Sequence, residues 1–535
     1  MRKLIALLLL LLPSSVWSAT YYVNATGGND SRDTTQAQNS GTPWLTIQKC
    51  ANSVSAGDTC SVASGTYNEW VTVTANGSSG NLITFVSSTN RAAHVRGFTI
   101  DGQYVKVDGF YVEYAGDTCT NIPSNDCKPG IEVKKSYAQV VNNAVYNVRG
   151  MPGIGTEPGY LTAPAWTNRP NNVTVTGNLV THSQYGIIAY GDSWLIDNNE
   201  VNQLHLYTFE SGTDCDYTRA WGNNVTMSNN FFHGATQTEF DAGCHVDCIQ
   251  TFGGGAAGYL ADFTYNRNWC SGMSETMLEG HSGALSIRHT YSNSVFADGL
   301  NSGAGMGVNA EDVDYVTITN NTFFNVSAAA MYDATATAIH GLMRNNIVSL
   351  SSPGTYIFQF WDATNTEDHN FGYKPGGTAY CDCNYGDSSI FHATDIKNVD
   401  PKFVNSSNLL GADGIPFTTD DGLILQSDSP AIGAGYGGLD MGAYQYSTSS
   451  SVPVLVTPID NETAGWPVDF TWQLFTGAVL FHIQVDDNSN FSSPEIDDAT
   501  IDPDNACDTE CHYIVGQGEE LANGTHYYWR VRALR

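Results

Sequence analysis

Residues 173–180 read VTVTGNLV, and the chain keeps returning to that phrase. It recurs as WLIDNNEV (194–201), VTMSNNFF (225–232), FTYNRNWC (263–270), HTYSNSVF (289–296), VTITNNTFF (316–324) and GLMRNNIV (341–348). Each copy is a β-type triplet, a small polar pair and an apolar pair. The second polar positions read as Asn178, Asn199, Asn230, Arg267, Ser294, Asn321 and Asn346, with gaps of 21, 31, 37, 27, 27 and 25 residues. Earlier relatives are VKVDGFYV (105–112) and VVNNAVYNV (140–148), and a later one is TEDHNFGY (366–373). Such spacing is too long for hairpins and lacks a helical period. A unit of this size cannot bury an apolar face alone and must stack on copies of itself. Asn tolerates left-handed bends, and stacked Asn side chains can bond from coil to coil. The reading is all-β: a right-handed parallel β-helix of about ten or more coils, each adding about 4.8 Å.

Outward from the repeat, the ends differ in character. Arg2 and Lys3, the apolar run 4–12 and the small-residue pattern up to Ala19 predict a secretory signal over 1–18. No later apolar run reaches the roughly 18 residues a membrane span needs. The twelve cysteines suit an oxidising compartment, secreted or periplasmic. After the solenoid (19–447) comes a Ser-rich linker (448–452). Alternating strands follow over 453–535, such as VDFTWQL and HYYWRVRA, and resemble a fibronectin type III-like sandwich lacking its last strand.

The formal charge of −32 disfavours nucleic acid and anionic membranes as partners. It equally opposes an acidic polysaccharide unless a cation intervenes. Motifs for nucleotide binding, the serine-nucleophile elbow and the HExxH zinc site are absent from the sequence.

Cysteine spacing suggests local clips at Cys50–Cys60, Cys119–Cys127 and Cys507–Cys511. Coil-to-coil clips are suggested at Cys215–Cys244 and Cys248–Cys270, each contributing about 3 kcal/mol by loop closure. Cys381 and Cys383 stand too close to bridge easily. Export favours these bonds over zinc on Cys244, His245 and Cys248.

Chemistry concentrates around CHVDCIQTFGGG (244–255). His245 suits proton transfer near neutrality, and Asp247 could orient it. Acidic stretches on adjacent coils supply Asp214, Asp216 and Asp241 as oxygen ligands for calcium. Glu279, His281, Gln250 and Arg219 are expected at the substrate, with Arg267 beside the reacting centre. Strand alternation from an inward Ile249 would turn Asp247 and His245 inward too, unless a bend intervenes. Tyr190, Phe252 and Trp361 are candidate stacking surfaces for sugar rings. GADGIPFTTDDG (411–422), with Asp413, Asp420 and Asp421, reads as a structural turn, and Lys128, Lys134, Lys135 and Arg149 as surface charge.

YYVNATGGND (21–30), the run 41–69 and GNLITFVSS (80–88) resemble the opening of secreted β-helix proteins related to family 9 pectate lyases. DPKFVNSS (400–407), LILQSDSPAIGAG (423–435) and LDMGAYQY (439–446) resemble the closing coil of exported bacterial β-helix proteins. The resemblance spans roughly 20–447. It implies a monomeric, calcium-assisted lyase cleaving an acidic glycan by β-elimination. The family's lysine base has no counterpart, because no Lys lies between Lys135 and Lys374. The alternatives are a non-catalytic carbohydrate-binding or adhesion rod, and a hydrolase pairing Asp247 with Glu279.

Overall fold

The computed structural model describes residues 18–113, 128–156, 169–205, 213–241, 243–252, 260–273, 277–279, 286–299, 307–311, 313–326, 340–350, 366–376, 392–445, 455–458, 463–465, 467–473, 480–489, 491, 493–502, 506–507, 510–515 and 521–534. Side chains of 213, 214, 240, 241, 252, 277–279, 286 and 309–311 lie outside that description. The expected signal, Cys119–Cys127, Cys381, Cys383, His281 and Trp361 fall outside it as well.

The chain divides into two compact units, Met1–Tyr444 and Gln445–Arg535. In the first, every named strand pairing is parallel, and the strands form three faces of a β-helix. One face runs from Thr20–Val23 to Thr366–Asp368. A second runs from Phe110–Glu113 to Ile396–Lys397. The third runs from Gly65–Val73 through Tyr185–Tyr190 and Thr218–Asn223 to Asn309–Glu311. The second and third faces part at Ala93–Ile100, whose first half pairs with 110–112 and whose second half pairs with 131–133.

Register keeps like beside like. On the second face Val112, Val145, Val180, Val201 and Phe232 form one inward column, all fully buried. Opposite them the third face carries Gly130, Gly153 and Gly186. A Cβ there would lie 2.6 Å from Val145 Cγ1, 2.3 Å from Val180 Cγ1 and 2.4 Å from Val201 Cγ1 respectively. One coil on, the glycine is replaced by Tyr217 and the valine by Phe232, stacked at 5.9 Å. Glycine is required where the two faces nearly touch and becomes dispensable where they separate.

The polar repeat is a buried ladder. Asn143, Asn178, Asn199 and Asn230 each donate backbone N–H and side-chain Nδ2 to the next rung's Oδ1 at 2.8–3.1 Å. Each Nδ2 also reaches a carbonyl of an earlier strand. The ladder continues through Asn268, Ser294, Asn321, Asn346 and Asn370 to Asp395. The rung between Asn230 and Ser294 is therefore Asn268, not Arg267. Arg267 has φ +53 and takes the left-handed corner that Asn142, Gly177, Asn198 and Asn229 occupy in other coils.

Disulfides Cys50–Cys60, Cys215–Cys244 and Cys248–Cys270 are present in this unit. Residues 399–444 lie against the second face, packing Phe403, Leu409, Phe417, Leu423 and Tyr444 with Trp269, Val295 and Phe324. In the GADGIPFTTDDG turn Asp420 accepts from Ala412 N–H at 2.6 Å and Asp413 from Ile415 N–H at 2.8 Å. These carboxylates close the turn.

The second unit holds two three-stranded antiparallel sheets. Phe470, Trp472, Phe481, Ile483, Val485 and Val531 fill one shared core, and Cys507 pairs with Cys511. It is a small β-sandwich.

Candidate functional site

The CHVDCIQ stretch lies on the third face, one coil beyond CDYTRAW (215–221). Thr213 stands opposite Cys244, Asp214 opposite His245 and Arg219 opposite Gln250. The offset is constant (244 − 213 = 31, 250 − 219 = 31), so Asp216 faces Asp247 across one coil spacing. Backbone bonds fix this register, from Cys215 N–H to His245 O at 2.7 Å and from Tyr217 N–H to Asp247 O at 3.0 Å.

Cys244, Val246, Cys248 and Ile249 all belong to the core. Because Cys248 and Ile249 both turn inward, alternation breaks there. Asp247 lies between inward Val246 and Cys248 and so points away from the core, as does His245. The bend reverses the parity expected from Ile249 alone. The Cys215–Cys244 and Cys248–Cys270 bonds hold the segment on either side of Asp247.

Although it points outward, the row is shielded. Asp216 and Asp247 are 0 % exposed, Arg219 is 1 % and Gln250 is 5 %. Arg219 Nε donates to Asp216 Oδ2, and its guanidinium lies 4.6 Å from the centre of the Tyr185 ring. His245 differs, because its side chain is 34 % exposed while its Nδ1 lies 3.2 Å from Asp247 Oδ2. With the proton on Nδ1, facing that carboxylate, Nε2 would keep its lone pair. The imidazole is thus partly exposed, with a buried carboxylate beneath it. Tyr185, Ile188, Trp221 and half-buried Tyr190 form an apolar cluster beside the row.

Several expected participants sit differently. Arg219, anticipated at the substrate, is 1 % exposed and bonded to Asp216. Arg267 lies at the corner before Trp269–Ser271, with its guanidinium 5.2 Å from the Phe417 ring centre and bonded to Phe417 O at 3.5 Å. The closing segment claims it, and it does not join the row. Glu279 occupies Met277–Glu279, its backbone opposite Phe252 and Glu311. Asp214 lies opposite His245 and Asp241 ends the short helix Gln237–Asp241.

Of the expected calcium ligands, the Asp214 and Asp241 side chains lie outside the described residues. Asp216 gives an oxygen to Arg219, and among the described residues the group of three carboxylates within metal-binding reach is Asp486, Asp487 and Glu495 in the second unit.

Sequence reading missed two features. Tyr185 and Trp221 join the site only through the register of coils of unequal length. Glu132, beside the Lys134 and Lys135 read as surface charge, is 4 % exposed and accepts from Thr99 Oγ1 at 2.8 Å. It stands in the column that leads through Gly155 and Ile188 to Arg219.

No protein-family profile matches the sequence, and no curated protein matches it. Among solved structures, the pectate lyase Pel9A aligns over 80 % of this chain and 97 % of its own, at 16 % identity and a TM-score of 0.46. A rhamnogalacturonan lyase aligns over 77 % and 97 %, at 13 % identity and 0.42. A GH136 lacto-N-biosidase from Eubacterium ramulus aligns over 66 % and 67 %, at 13 % identity and 0.41.

Proposed function

We propose that the protein is an exported polysaccharide-active enzyme that cleaves a uronate-containing glycan by β-elimination, with His245 as the base. The observation that carries this reading is the dyad itself, a partly exposed imidazole whose Nδ1 lies 3.2 Å from an oxygen of the fully buried Asp247 carboxylate. Elimination needs a base to remove the C5 proton. The electron pair then forms the C4–C5 double bond, and the C4–oxygen bond breaks with protonation of the leaving oxygen. Nε2 of His245 supplies the base, and Asp247 stabilises the imidazolium that results. Arg219 and Asp216 form a neutral buried pair that holds the neighbouring coil in place beneath the site. Tyr190 and Trp221 offer aromatic surface alongside. No step is routed through calcium.

Purified full-length protein incubated with polygalacturonate, rhamnogalacturonan and alginate tests the reading, each with and without EDTA. Appearance of the ultraviolet absorbance of an unsaturated uronate on any of them supports it, and the EDTA arm tests the calcium expectation. New reducing ends without that absorbance would assign hydrolysis. Inertness on all three would leave a binding rod.

A further inference from the structure

A second hollow lies on the solenoid well before the dyad in sequence, at the corner preceding the first face. Its volume is about 520 Å³, within the range of small-ligand sites. One wall is the tight turn at Ser78–Asn81, where the two residues exchange backbone bonds at 3.1 and 2.8 Å. The other is a pair of tyrosines on successive coils, Tyr104 and Tyr137, with ring centres 4.3 Å apart and planes within 1°. Asn81, Thr84, Gln139 and Asn172 are among the hollow's polar lining residues.

The backbone holds both tyrosines at a left-handed corner that later coils also fill with Asp262, Arg288, Tyr315 and His340. Tyr104 and Tyr137 have φ of +55 and +64, and the next coils fill the same corner with Asn172, Ser193 and Asn224. Asn takes the left-handed region with little strain, whereas a bulky side chain there is strained. Two adjacent coils accept that strain and gain a face-to-face stacked aromatic pair beside amides and hydroxyls. Lys106, which stands between Thr84 and Gln139 in the stack, is turned to Asp108 at 2.8 Å. No charged side chain lines the hollow among the described residues.

We infer that this hollow binds a neutral sugar chain. A pyranose offers an apolar face of C–H groups, which suits the electron-rich face of an aromatic ring, and rim hydroxyls, which suit Asn and Gln side chains. An uncharged lining gives no reward to a carboxylate. The site therefore differs in ligand class from the dyad, and it does not rest on the lyase reading.

Affinity electrophoresis of the full chain tests this, in gels containing galactan, arabinan, xylan or mixed-linkage β-glucan, with polygalacturonate as the acidic comparison. The expected result is retardation in at least one neutral gel. Tyr137→Asn should weaken it tenfold or more while keeping the melting temperature, because Asn is the residue the next coil uses at that corner. Gln139→Ala should weaken it as well. Tyr315→Ala, which removes an exposed tyrosine stacked on His340 at a distant coil, should leave it unchanged. His245→Ala should also leave it unchanged, so loss of cleavage and loss of this site are read separately. Free migration in all four neutral gels overturns the inference, as does retardation that survives Tyr137→Asn.

Discussion

The asparagine ladder and the Asp216–Asp247 row are both stacks of buried polar side chains at one coil spacing, yet they are built on opposite terms. Along the ladder nearly every rung is the same uncharged residue, and each amide serves the next coil. Uncharged, mutually bonded groups can be buried at little net cost. Along the row Arg219 gives way to Gln250 one coil on while Asp216 is followed by Asp247, and three of the four members are ionisable residues. The fold does not demand those charges, since Arg219's column is filled by Gly155 and Ile188 in the two preceding coils. Repetition therefore marks what the solenoid needs, and a departure from it in charge marks what the solenoid carries.

That contrast can be broken by experiment, and the most sensitive test is the dyad. His245→Ala and Asp247→Asn should each lower the initial rate on a responsive glycan by about 10²–10⁴-fold. For His245→Ala, circular-dichroism melting should show a stability change within about 1 kcal/mol. A variant that loses its fold together with its rate would move the pair to the structural side of the contrast.

Arg219→Met leaves Asp216 buried without its cation, for an expected loss of about 3–5 kcal/mol in denaturant unfolding. The double variant Asp216→Leu/Arg219→Met should recover most of that loss, because an apolar pair can replace a buried ion pair. If the double variant is as unstable as the single, the row is needed for folding after all.

Asn230→Ala removes the acceptor for Asn199 N–H and Nδ2 and the donor to Ile196 O. About 2 kcal/mol should be lost, with cleavage by the remaining folded protein unchanged. A fall in specific rate would show that ladder and row are coupled.

The smallest effect lies where the ladder ends. Glu367 occupies the inward position opposite Met343, and its carboxyl is pushed up to about 9 by burial and by neighbouring Asp395. Asp395 is raised by burial too. Between its ordinary value and about 9 the folded chain keeps a proton that the unfolded chain has released, so stability falls as pH rises through that window. Below the window the contribution is level. Glu367→Gln should flatten the decline in melting temperature between pH 5 and pH 9, and an unchanged slope would place the carboxyl in water.

Legibility in the sequence follows the same division. The ladder could be read because each coil repeats its physical demand. The single misreading, Arg267 for Asn268, arose where NRN sets an arginine in a left-handed corner usually held by Asn or Gly. His245 and Asp247 were legible as neighbours, whereas their outward aim depends on Cys248 and Ile249 both turning inward, which residue type does not announce. Tyr185 reaches Arg219 only across a coil whose length no local pattern fixes, and the burial of Glu132 is likewise a property of the stack.

The glycines at 130, 153 and 186 have a consequence for how such a chain can grow. They set a narrow bore in the early coils, and Tyr217 with Phe232 opens a wider one. A turn copied from the narrow stretch into the wide one would leave its neighbours without packing, and the reverse insertion would collide with valines. Lengthening by internal duplication is thus confined to each gauge, and the step between the two gauges falls at Gly186 and Tyr217, the coil that also brings Asp216 and Arg219 to the surface layer.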